Sequence, residues 1–134
     1  MSDNIERLRR VIEHGFGGGD LAVVEELAGE TIIEHEYAAP RIAPGPELLK
    51  AMINEARSQV PGLTMTMEDA VAEGDKVWAR SIARGVEPDS GNELVFTVFD
   101  VCRFADGRIV EHWGVPDRFA LLDQLGVLPA PPQG

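Results

Sequence analysis

The apolar positions of this chain change rhythm once, from a helical to a strand-like spacing. From Asn4 to Gly15 the residues Ile5, Leu8 and Ile12 recur at helical intervals, and Gly15 is a natural stop. Asp20 can cap a second, short helix carrying Leu21, Val24, Leu27 and Ala28 on one face, with Gly17 to Gly19 as the hinge between the two. The glycine run has no strand before it and no lysine after it, which argues against a phosphate loop. Thr31 to Tyr37 reads as extended, and Ala38 to Pro44 as a loop. A third helix opens at Pro46 and runs to about Gln59, burying Leu48, Leu49, Met52, Ile53 and Ala56, until Pro61 and Gly62 end it.

Beyond Gly62 four strands are predicted: Leu63 to Ala72, Lys76 to Val86, Glu93 to Ala105 and Arg108 to Val115. The turns between them fall at Glu73-Gly74-Asp75, Pro88 to Asn92 and Asp106-Gly107. The last is a hairpin turn, because both of its central positions need residues tolerant of positive φ. A short helix from Arg118 to Gln124 then precedes Gly126. Helices first and meandering strands afterwards predict an α+β fold, with N-terminal helices packed on one face of a curved antiparallel sheet. The expected organisation is one domain over residues 1–128 and a mobile, proline-rich tail over 129–134.

Composition narrows the functional classes. A chain of 134 residues can bury a core without staples, and its one cysteine, Cys102, cannot form an intramolecular disulfide. The 23 acidic against 12 basic residues give a formal net charge of −11, which repels nucleic acid and anionic membranes alike. The N-terminus carries no apolar stretch, so neither a signal peptide nor a membrane anchor is expected, and the expected location is cytoplasmic.

The last strand concentrates the candidate chemistry. By strict alternation Ile109, Glu111, Trp113 and Val115 share one face, and Val110, His112 and Gly114 the other. If extended geometry persists through Pro116, Asp117 joins the first set, beside an apolar wall that would raise its pKa towards the proton-exchanging range. The competing reading, favoured by spacing alone, is that Asp117 caps the helix beginning at Arg118. His35 stands among acids and is either a substrate donor or a structural histidine satisfied by a glutamate. His14 and His112 read as structural, Trp113 as core, and Glu111 as a salt-bridged strand residue. The three histidines are too scattered for a metal motif, so no metal is expected. Cys102 and Ser81 have no adjacent base in sequence.

Several segments together resemble the SnoaL-like polyketide cyclase family of the NTF2-like superfamily. They are His35, then Gly45-Pro46-Glu47-Leu48-Leu49, Pro61-Gly62-Leu63, and Val71 to Arg80. Phe99-Asp100-Val101-Cys102-Arg103-Phe104 and Asp106 to Trp113 with Asp117 complete them. The resemblance implies a cone-shaped α+β barrel, usually dimeric, around an apolar pocket. It also implies a cofactor-independent aldol-type ring closure with Asp117 as general acid and base, which reverses the preference for the cap. His35 and Arg103 are the expected partners of Asp117, with Trp113, Glu111, Arg103 and Tyr37 lining the substrate. The implied substrate is a small hydrophobic carbonyl compound and the implied assembly a homodimer. The alternatives are a non-catalytic binding module and a water-activating hydrolase. Val77 to Arg84 supplies arginines but no acid for the Arg and two aspartates of epoxide hydrolase relatives. Tyr37 does not match the tyrosine of ketosteroid isomerase relatives.

Overall fold

The computed structural model describes residues 3–35 and 40–127. Tyr37 and the tail 129–134 lie outside the described residues. Helix α1 (Asp3–Arg10) runs straight into a π-helical turn, Val11–Phe16, where a regular α-helix was expected to Gly15. The wider turn lets Val11, Ile12 and Gly15 all be buried at once, and Phe16 joins Val11 and Ile12 in lining the interior cavity. Asp20 Oδ1 accepts a hydrogen bond from the Ala22 N–H at 3.0 Å at the start of α2 (Ala22–Leu27), but from one residue before the expected cap position, since Leu21 is the N-cap and has no capping side-chain bond. Strand β1 (Ala28–Glu34) starts at Ala28, a residue the helical pattern had claimed.

The expected loop over Ala38 to Pro44 contains a strand instead: β2 (Arg41–Pro44) pairs antiparallel with β1, from Thr31 opposite Pro44 to Glu34 opposite Arg41. A proline is tolerated there because β2 is a short edge strand. Helix α3 (Gly45–Gln59) follows at once, burying Leu48, Leu49 and Ile53. Four strands then meander: β3 (Thr64–Glu73), β4 (Lys76–Val86), β5 (Glu93–Ala105) and β6 (Arg108–Pro116). The β5–β6 turn is the expected hairpin turn, with φ of 51° at Asp106 and 76° at Gly107.

The sheet is curved and unclosed, in the order β2-β1-β6-β5-β4-β3. It is antiparallel except where β1 runs parallel to β6, a departure from the all-antiparallel expectation. Its concave side receives α1, the π-turn and α3, whose apolar stripes meet Val77, Cys102, Phe104 and Ile109 in one cluster. A second cluster, Val60, Leu63, Ala83, Leu94 and Phe96, closes the far end, with Leu121 of α4 (Arg118–Gln124) against it. Where β6 has ended, the Gln124 side chain takes over as the neighbour of β5. Its Nε2 donates to Val95 O at 2.7 Å and its Oε1 accepts from Val95 N at 2.8 Å.

One irregularity decides what faces inward. Arg103 lies opposite Glu111 but Phe104 opposite Ile109, so β6 carries one extra residue, Val110. Parity therefore flips within the strand. Ile109 faces the interior before the bulge, and His112, Gly114 and Pro116 face it afterwards.

Candidate active site

Between the two apolar clusters lies a cavity of about 420 Å³. Its walls are apolar: Ile12 and Phe16 come from the π-turn, Leu49 and Met52 from α3, and Phe96, Val98 and Cys102 from β5. Its exposed lining residues Glu55, Gln59 and Arg118 belong to α3 and α4, so the cavity opens between those helices. Three polar side chains face it from the strands: Glu34 from the end of β1, Asp100 from the middle of β5 and His112 from β6.

These three are joined. His112 Nδ1 lies 2.9 and 2.8 Å from the two oxygens of Glu34, and His112 Nε2 lies 2.8 Å from Asp100 Oδ1. Glu34 is completely buried, at 0% exposure, so its charge is compensated chiefly by this contact. Burial by itself would push the imidazole pKa down. The hydrogen bonds to Asp100 and Glu34, and their charges, outweigh that and raise it from 6.5 to about 10. At neutral pH His112 is thus an imidazolium donating to a carboxylate on each side. Asp100 keeps a second oxygen, Oδ2, that makes no hydrogen bond among the described residues. Cys102, opposite His112, stays a neutral thiol, because burial and then the nearby Asp100 and Glu34 hold its pKa well above 9.0.

The raised pKa of His112 makes stability depend on pH. A proton held more tightly in the folded than the unfolded chain stabilises fully below the unfolded value of 6.5, and that contribution is lost as pH climbs through about 10. The melting temperature should accordingly fall between pH 7 and pH 10, as thermal unfolding at constant ionic strength would record. A flat or rising value across that range would contradict the ion-pair assignment.

Gly114 makes room for the contact. It sits opposite Asp100 on the neighbouring strand, and a Cβ there would come within 2.7 Å of His112 Cε1 and 3.0 Å of Asp100 Oδ1. Gly114→Ala should push the two side chains apart, lower the His112 pKa followed by NMR titration, and cost about 1–3 kcal/mol of stability. An unchanged titration would show that the pair has slack the distances do not suggest.

Asp117 is not where alternation placed it. Its side chain accepts from the Ala120 N–H at 3.0 Å as the N-cap of α4, and its own N–H donates to Thr97 O at 2.7 Å. It is exposed, and although Pro116 and Arg118 line the cavity, Asp117 does not. The reason is the Val110 bulge, which hands the inward face to the even-numbered residues. The same bulge sets Glu111 and Trp113 on the outward face, where they meet Arg103 of β5 and His35, which follows β1. Glu111 Oε2 meets His35 Nε2 at 2.7 Å and Glu111 Oε1 accepts from Arg103 Nε at 2.8 Å. His35 stacks on Trp113 with centroids 4.6 Å apart and Lys76 sits 5.3 Å from the Trp113 ring. Burial works against it, but the bonds from Arg103 and His35 lower the Glu111 pKa. His35, Arg103, Glu111 and Trp113 thus converge with one another, on the convex side of the sheet away from the cavity and not around Asp117. Trp113, read as core, is a surface platform here.

Residues 6–125 match the family described as SnoaL-like polyketide cyclase. The chain belongs to the SnoaL-like polyketide cyclase family. No curated protein matches it. Among solved structures this SnoaL-like chain resembles IdmH, a candidate polyketide cyclase from Streptomyces antibioticus, at 29% identity and a TM-score of 0.80. That match spans 94% of this chain and 100% of IdmH. A candidate polyketide cyclase from Bacillus cereus ATCC 10987 matches at 27% identity and a TM-score of 0.75, over 94% of this chain and 80% of that one. An LEH-like epoxide hydrolase from M. tuberculosis shares the fold at 15% identity and a TM-score of 0.71, over 92% and 89% of the two chains. The cone fold expected from the sequence is therefore the fold of this SnoaL-like protein, with its sheet left open.

Glu34, Asp100 and His112 were not singled out from the sequence as site residues. Asp100 was legible: Leu94, Phe96, Val98, Asp100, Cys102 and Phe104 form one face of β5, and it is the one charge among them.

Proposed function

We propose that this SnoaL-like chain is an acid/base enzyme acting on a hydrophobic carbonyl compound, with Asp100 as the base. The observation that carries the reading is the carboxylate–imidazolium–carboxylate row at the inner end of an apolar cavity. Ionised Asp100 removes a proton from the carbon α to a carbonyl. The charge that leaves Asp100 appears on the substrate as an enolate, and His112, still an imidazolium, becomes the positive charge nearest to it. Glu34 keeps His112 protonated and orients it. In a ring closure the enolate carbon attacks a second carbonyl carbon of the same molecule. The resulting alkoxide then takes back the proton from Asp100, so the step balances with no co-reactant.

Proton exchange tests this directly. The ketone 2-tetralone is hydrophobic, bicyclic and acidic beside its carbonyl, and NMR in deuterium oxide should show the protein accelerating deuterium entry at its α-carbons. Exchange at the buffer rate would exclude the proton-transfer reading. A second reading draws on the same row, since two acids bridged by a cation can also activate water against an epoxide. Oxygen from labelled water in a diol product would support it over proton transfer.

The chain is further proposed to be a cytoplasmic homodimer. Across the convex face of the sheet Val71, Trp78, Val101 and Trp113 lie in one row of paired positions, and Phe99 and Val115 in the next. Trp78 is 41% exposed, Phe99 56% and Val115 67%, so large apolar side chains adjoin one another on this face, as they do at interaction surfaces. Asp69 and Arg80 face each other at its rim with no ion pair among the described residues, so a second copy turned about a two-fold axis can pair them. Trp78→Asp should convert the dimer to monomer in light scattering, and a mass unchanged from the wild type would exclude this face.

A further inference from the structure

The mouth of the cavity carries an arginine that has no partner among the described residues. Arg9, Arg10, Arg84 and Arg103 pair with acids, and Arg57 and Arg108 with backbone carbonyls. Arg118 lines the cavity and makes no hydrogen bond or ion pair among the described residues. Its acidic neighbours are otherwise engaged. The Asp117 carboxylate caps α4 through the Ala120 N–H at 3.0 Å, and Glu55, across the mouth on α3, accepts from Gln59 Nε2 at 3.3 Å. In a chain of net charge −11, an unpaired guanidinium at the rim of an apolar cavity is an attractive point for an anion.

The inner end has the opposite preference. Glu34 and Asp100 flank a single imidazolium, so the row carries a net negative charge and opposes the entry of another anion. A ligand with an apolar body and one anionic end therefore has a preferred direction, body inward and anion at the mouth. That direction presents the end remote from the anion to Asp100.

We propose that Arg118 is a specificity-determining residue that binds the carboxylate of a hydrophobic carbonyl substrate and orients its reacting end towards Asp100. This deepens the proposed function and rests on its reading of the cavity as the substrate site. Arg118 does not take part in the proton transfer; it sets which substrates bind and which way round.

The test uses binding alone, so its outcome is separate from the fate of the acid/base reading. Two fluorescent naphthalene dyes of similar body serve as probes: 8-anilino-1-naphthalenesulfonate, which carries an anion, and N-phenyl-1-naphthylamine, which does not. Arg118→Gln should weaken the sulfonate by about three- to tenfold and leave the neutral dye within twofold. Arg118→Lys should recover part of the loss, and 0.5 M salt should shrink the difference between wild type and Arg118→Gln. Ala56→Trp, which fills the cavity wall from α3, should weaken both dyes. An Arg118→Gln variant that binds the sulfonate as tightly as wild type, or loses both dyes equally, would overturn the assignment. Failure of the wild type to exchange 2-tetralone protons would overturn the acid/base reading and leave this binding result standing.

Discussion

Asp100→Asn is expected to slow α-proton exchange by about 10²–10⁴-fold while the protein still folds. The asparagine Oδ1 can go on accepting from His112 Nε2, so the hydrogen bond at 2.8 Å and the packing of β5 survive. What disappears is a group able to take a proton. Loss of the Asp100 charge lowers the His112 pKa, but Glu34 still bonds Nδ1 with both oxygens and favours the imidazolium, which has no free nitrogen to take a proton. Rates within threefold of wild type would mean that another group removes the proton.

Glu34→Ala should have the largest effect on stability, about 3–5 kcal/mol, which for a chain of this size lowers the melting temperature by roughly 10 °C or more. Glu34 is buried completely and holds His112 Nδ1 with both oxygens, so truncation leaves a buried imidazolium with one partner and a void beside it. Glu34→Gln keeps the volume and one acceptor and should cost distinctly less. It should also lower the His112 pKa, since one of the two charges that raise it is gone. A loss below about 1 kcal/mol in Glu34→Ala would show that Asp100 alone suffices to hold the histidine charged.

Much of the fold was legible because its elements are long and periodic. Strands β4 and β5 and helix α4 begin and end where the pattern put them. Strand β2 was not, because Arg41-Ile42-Ala43-Pro44 is too short to show alternation and follows a proline at position 40. The site suffered from one residue. Alternation carried through Arg108-Ile109-Val110-Glu111-His112 assumes a regular ladder, and nothing in that stretch, neither glycine nor proline, marks the bulge at Val110. The error turned His112 outward and brought Asp117 in beside Trp113. Capping chemistry, by contrast, was readable from Asp117 preceding Arg118, and that geometry is present. The family pattern was informative about the cone and its cavity. It pointed to Asp117 rather than to Asp100, which lies in a segment quoted for the resemblance but drew no role from it. Glu34 could be linked to His112 and Asp100 only through the parallel pairing of β1 with β6, a contact between distant segments that local spacing does not encode, whereas His112 and Asp100 meet across the β5–β6 hairpin.

The central claim is that proton transfer belongs to the carboxylate in the cavity and not to the one capping α4. Deuterium incorporation into 2-tetralone, followed by NMR for wild type, Asp100→Asn and Asp117→Asn, separates the two most directly. The prediction is that Asp100→Asn falls to the buffer rate while Asp117→Asn stays within about threefold of wild type, losing at most the roughly 1 kcal/mol of stability a helix cap provides. Exchange that survives in Asp100→Asn and vanishes in Asp117→Asn would contradict it.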